Sequence, residues 1–119
     1  MVNLISAGWD VALLSNIGAD HISVVRRWLP IELWDKSTHH FSCDIGVRKP
    51  SRLFYQSFHL KNGGWSNYTF FFDDIEENVI ACDGCFRGVH FNLRDFSSGI
   101  KAAKAVRDFL LDAKGPGVV

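Results

Sequence analysis

Apolar residues fall in short blocks along this chain, and each block ends abruptly at polar residues. The run Val11 to Leu14 (VALL) stops at Ser15-Asn16; Gly18 follows, and Asp20 has the character of a helix cap, so the segment predicts strand, loop and helix. The helix extends to about Leu29, with Ile22, Val25 and Trp28 or Leu29 at helical spacing, and Pro30 ends it. Polar residues from Asp35 to His40 lead into FSCDIG (41 to 46), a short strand and turn. Lys49-Pro50-Ser51 opens a second helix, with Leu53, Phe54 and Phe58 as its buried stripe and Asn62-Gly63-Gly64 as its end. Tyr68 to Phe72 (YTFFF) is an unbroken apolar run, as a strand buried on both faces requires. It stops at Asp73-Asp74, and a short helix with Ile75, Val79 and Ile80 follows. Val89 to Leu93 is the next strand. A final helix from near Ser98 carries Ile100, Ala103, Val106, Phe109, Leu110 and Ala113 on one face and stops at Gly115-Pro116.

Strands that alternate with helices predict an α/β fold with a mostly parallel sheet, because parallel neighbours need crossover connections. Ligands of such folds sit beyond the carboxyl ends of the strands. Both polar pairs, Ser15-Asn16 and Asp73-Asp74, fall there, so one rim collects a hydroxyl, an amide and two carboxylates.

The chain has 119 residues, one domain's worth, and 47% of them are hydrophobic, which excludes disorder. Lys and Arg number 13, as do Asp and Glu, so no net charge draws the chain to nucleic acid or to an anionic membrane. No apolar run approaches the ~20 residues of a membrane span, and the start lacks the pattern of a secretion signal, which points to the cytoplasm. Ten Phe and four Trp supply an aromatic core. Three cysteines without framework spacing read as reduced thiols. Residues 114 to 119, around Gly115-Pro116-Gly117, read as a flexible tail.

Two adjacent carboxylates after a buried strand repel unless a cation or proton neutralises them, and magnesium with phosphate oxygens does so. Lys49, at a helix start, brings positive charge to the same anion. The competing reading is that Asp73-Asp74 simply begins a helix, where negative charge is favoured. Cys82-x-x-Cys85 follows a helix and has no second ligand pair, which argues against zinc or thioredoxin-like redox chemistry. His39-His40 reads as a solvent-exposed loop, Phe70 to Phe72 as core, and Lys101, Lys104 and Arg107 as a solvated helix face.

LLSNIGADH (13 to 21), FSCDIGVRKPSRLFYQ (41 to 56) and FFFDDIEENVIA (70 to 81) resemble, in order and spacing, the second, third and fourth motifs of the haloacid dehalogenase superfamily, closest to its phosphatases. The resemblance runs from about Gly8 to Phe91. It implies a three-layer Rossmann-like core and places Ser15 and the Asn16 backbone at the transferring phosphoryl group. Lys49 is then the cation that neutralises nucleophile and phosphate, Asp73 the magnesium ligand, and Asp74 its usual second acid. Ser15 and Lys49 are the catalytic residues so implied, with Ser15, Asn16 and Lys49 binding phosphate.

The family's first motif, a DxD that supplies the nucleophile at the end of the central strand, has no counterpart here, and neither does the cap. Asp10 lies at the wrong end of its strand, Asp35 lacks a second acid, and MVNLISAGW resembles the tail of the helix that follows the absent part. The expectation is thus a single domain over 1 to 119 that resembles the carboxyl-terminal half of a magnesium-dependent phosphatase and is inactive alone. The alternatives are a non-catalytic dimeric assembly module and one half of a split phosphatase acting on a phosphorylated small molecule. Without its central strand, the sheet has two open edges between Val11 to Leu14 and Tyr68 to Phe72. The expectation is that these edges pair with each other, with a second copy in a homodimer, which is the leading expectation, or with a complementing amino-terminal half.

Overall fold

The computed structural model describes residues 8–66 and 68–113. In chain order the elements are β1 (Ala12–Ser15), α1 (Ala19–Trp28), α2 (Ile31–Lys36), β2 (Thr38–Phe41), α3 (Ser42–Ile45), α4 (Arg52–Lys61), β3 (Phe70–Asp73), α5 (Glu76–Ala81), β4 (Arg87–His90), a 3-10 turn (Leu93–Asp95) and α6 (Gly99–Ala113). The expectations for residues 1 to 7 and for the tail at 114 to 119 lie outside the described residues.

The strands form two separate parallel pairs. β1 pairs with β2 in the register Ala12 opposite Thr38 to Ser15 opposite Phe41. β3 pairs with β4 from Phe70 opposite Arg87 to Asp73 opposite His90. Helices connect the strands of each pair, so the chain is two βαβ units with α3 and α4 between them, a mixed α/β arrangement. Among the described residues the open edges of β1 and β3 do not pair with each other, which removes the first of the three expected ways of closing the sheet.

Local chemistry explains most boundaries. Pro30 forces Leu29 into extended backbone and so separates α1 from α2. Gly46, in the left-handed region at φ 85°, ends α3. Several expectations shift. IELWDK (31 to 36) is helical, and the strand expected within FSCDIG lies earlier, at Thr38–Phe41. Pro30 ends one helix but also opens another, a role proline favours at helix starts. His39-His40 is therefore strand rather than exposed loop, with His39 half-buried and His40 fully buried. In α4 the buried residues are Phe54, Tyr55 and Phe58, while Leu53 is exposed. In α6, Ala102 and Leu110 are buried and Ile100 is exposed.

The core is built by α4 and the second βαβ unit. Phe54, Tyr55, Phe58, Phe71, Cys82, Cys85 and Phe86 form one cluster, to which β1 adds only the half-buried Ala12 and Leu14. Tyr55, Phe58, Phe71 and Phe86 meet largely edge to face. Phe71 is thus core, as its apolar run predicts. Cys82 and Cys85 are free and buried, and burial raises the Cys82 thiol to about 11, far from the range of a reactive thiolate. β4 lies so close to α5 that a Cβ on Gly88 would stand 2.9 Å from the Val79 carbonyl.

Between the two sheets runs a slot of about 1210 Å³, lined along one wall by residues 8 to 15 and along the other by 68 to 72. Val25 and Leu29, Val106 and Leu110, and Phe58 also line it.

Candidate functional site

Lys49 is the centre of the site. The loop before α4 carries it inward, and its side chain is only 10% exposed. A buried ammonium needs a counter-charge and hydrogen bonds. Asp73, the last residue of β3, supplies both: Lys49 Nζ donates to Asp73 Oδ2 at 2.7 Å, and the carboxylate is 6% exposed. The ammonium also stands 5.5 Å from the centre of the Phe71 ring.

Asn16 holds the backbone of Lys49 at two points. Its Nδ2 donates to the Lys49 carbonyl at 3.0 Å, and its Oδ1 accepts the Lys49 N–H at 2.8 Å. The carboxyl end of β1 is thereby tied to the carboxyl end of β3 through Lys49. Ser42 secures the same loop, accepting the Ile17 N–H at 2.9 Å and donating to the Ile17 carbonyl at 3.2 Å.

Asp73 is shared between two tasks. Its Oδ1 accepts the Ile75 N–H at 2.9 Å, the two-residue Asx turn that leads into α5, so the helix-start reading holds as well. Its Oδ2 accepts from Asn78 Nδ2 at 3.2 Å in addition to Lys49. Burial alone would raise the Asp73 carboxyl. The hydrogen bonds from Lys49, Ile75 and Asn78 and the lysine charge outweigh burial and hold it below its ordinary value. Asn78 is itself buried, and Tyr55 Oη donates to its carbonyl at 2.7 Å. Burial pushes the Tyr55 phenol strongly upward, so it acts as a donor.

Asn16, Lys49 and Asp73 are therefore brought together. Ser15 ends β1, half-buried on the wall of the slot, outside that chain of hydrogen bonds. Asp74 is exposed, and its backbone carbonyl accepts from His90 Nε2 at 2.9 Å; of the two carboxylates only Asp73 bonds to Lys49. Asn78, Tyr55 and Ser42 escaped the sequence reading. Asn78 left a signal, a polar residue inside the apolar stripe of Ile75, Val79 and Ile80.

Magnesium does not fit the residues present. Among the described residues no three His, Cys, Asp or Glu side chains gather. Asp73 is a single carboxylate with its charge balanced by Lys49 and both oxygens engaged, whereas magnesium takes one or two uncompensated carboxylates together with phosphate. Lys49 keeps hydrogen-bonding capacity beyond the pair. A lysine ammonium has three donors, and one is used on Asp73. Beyond β1 a second hollow of about 490 Å³ is lined by Asn16, Ile17, Gly18, Ser42 and the exposed Arg48 among others, and its lining does not include Lys49 or Asp73. Among the described residues no helix is long and apolar enough to cross a membrane. Comparison of the chain with protein-family models, curated proteins and solved structures finds no match.

Proposed function

We propose that the chain is the phosphate-binding half of a haloacid dehalogenase-like phosphatase, with the three-layer Rossmann-like core of that class minus its central strand, and that it is catalytically incomplete alone. The observation that carries this reading is the buried Lys49–Asp73 pair, clamped by Asn16 at the carboxyl ends of two parallel strands that a slot separates. A cation fixed at that rim is suited to a phosphoryl group, whose charge it offsets without reorganising. Ser15 would add a hydroxyl to the phosphate and Asn16 holds the lysine in place. Asp73 does not stand ready as a nucleophile, since it is already committed to Lys49, Asn78 and Ile75. Magnesium enters this reading only with a second carboxylate from outside the described residues.

Inorganic phosphate tests it. Phosphate should raise the unfolding temperature of the chain, by an amount that follows its saturation of the site. Lys49→Met should abolish the effect and Ser15→Ala should weaken it. The chain alone should not hydrolyse p-nitrophenyl phosphate. Equal protection of Lys49→Met, or robust turnover by the purified chain, would overturn the proposal.

A further inference from the structure

The hydrogen-bond register shows what the slot lacks. Thr38 N–H donates to the Val11 carbonyl at 2.9 Å, so in β1 the backbone groups of Val11, Leu13 and Ser15 face β2. Those of Ala12 and Leu14 face the other way. In the second unit Arg87 N–H donates to the Thr69 carbonyl at 2.9 Å and Phe91 N–H to the Asp73 carbonyl at 3.0 Å. Thr69, Phe71 and Asp73 thus face β4, and the backbone of Phe70 and Phe72 faces away from it. Among the described residues both walls of one apolar slot therefore present unpaired strand edges, with their carboxyl ends tied to a single residue, Lys49. Helical side chains cover the slot as well, Val25 and Leu29 from α1, Val106 and Leu110 from α6, and Phe58 from α4.

We propose that this slot receives an extended apolar segment of a separate polypeptide, which enters as a strand between β1 and β3 and joins the two sheets into one. An apolar small molecule would fill the volume but leave the backbone N–H and C=O groups of both edges without partners. A second copy of this chain fails for a different reason. Each of its described strands is already paired on one side, so it can offer one edge, whereas the slot demands a strand that bonds on both. The helices around the slot make it the environment of a central parallel strand, read as a continuous apolar run. Its charge selects the flank of that run. The charged residues on its wall are Asp10, Lys36 and Arg87, which stand at or before the amino ends of β1, β2 and β4. Two cations against one anion favour an acidic residue just before the incoming strand. The proposal rests on the phosphate half-site reading for what the joined sheet does, but its geometry stands apart from that reading.

The test supplies such a strand to the full chain. The segment EVVIVVS is fused to Met1 through a flexible Gly/Ser linker of about 20 residues, which spans the distance and holds it at millimolar effective concentration. A control fusion carries two prolines in the segment. Amide exchange at Ala12, Leu14, Phe70 and Phe72 is then followed by NMR. The fusion should slow all four on the order of 100-fold relative to the proline control. Leu13 and Phe71, whose amides already face a partner strand, should change less. No slowing, or slowing at only one of the two edges, overturns the proposal. Slow exchange at all four amides in the unfused chain also overturns it, because the chain's own residues or a second copy then hold the slot. Phosphate protection and its loss in Lys49→Met are read separately, so either proposal can fail without the other.

Discussion

Lys49 and Asp73 show how an ion pair in a nearly dry site is easier to break than to justify. Replacing both members of such a pair is often neutral, whereas removing one leaves a buried charge alone. Asp73→Asn keeps the shape and hydrogen bonds to Ile75 but strands the ammonium, and should lower unfolding stability by about 3 kcal/mol. Lys49→Met combined with Asp73→Asn should cost less than the sum of the single changes, a coupling that urea unfolding of the four proteins measures. Equal and additive losses would mean that the pair does not interact. Acid should reveal a second residue. Burial is the main cause of the lowered His40 value, with the Lys61 charge adding to it against the hydrogen bond to Phe54. A histidine held neutral binds its proton more weakly folded than unfolded. Its contribution is therefore complete above its ordinary value of 6.5 and is lost as the pH falls from there toward the lower folded value. Asp73 follows the same sign at lower pH, its contribution present above the ordinary 3.8 and lost as pH falls through the depressed folded value. The urea midpoint should thus begin to fall as the pH drops below 6.5, and His40→Phe should flatten that part of the profile and leave the acid limb of Asp73. A profile unchanged by His40→Phe would remove His40 as the cause.

The elements follow from local rules wherever one rule dominates. Pro30, Asn62 and the polar stops at Ser15 and Asp73 mark boundaries close to where the strands and helices end. Periodicity fails where two registers compete. In α4 both Leu53 and Tyr55 flank Phe54, and a helix cannot bury both sides equally; Tyr55 wins because its hydroxyl finds the Asn78 carbonyl inside. Phe58→Ala should therefore cost about 3–5 kcal/mol, since it removes a ring that meets His40, Trp65 and Phe86. Leu53→Ala should stay within about 0.5 kcal/mol, as an exposed change. Comparable losses for the two would restore the stripe read from the sequence. The site was legible where chemistry is concentrated, in Asn16, Lys49 and Asp73. It was not legible where a residue serves through its backbone or through tertiary burial. Asp74 looks equivalent to Asp73 in sequence, yet only Asp73, the last residue of β3, bonds to Lys49, while Asp74 is exposed beyond the strand.

At the scale of the molecule the two βαβ units are unequal. The buried cluster belongs to α4, β3 and the segment between α5 and β4, while α1 buries no residue fully and exposes Trp28 at 83%. Few apolar contacts mean a low free energy of local opening. Amides of α1 should accordingly exchange well before those of α4 and β3, at rates insensitive to substitutions in the main core. Hydrogen exchange followed residue by residue checks this, and equal protection of α1 and α4 would show that the units open as one. The reason for the weakness also says what would remedy it. Val25 of α1 and Leu29 at its end line the slot and are only half-buried, so the apolar face of this helix is incompletely covered among the described residues. A strand joining β1 to β3 would give α1 that support, and α1 protection should then rise together with that of the slot-facing amides. A strand that protected the edges while leaving α1 as labile as before would place α1 outside the completed core.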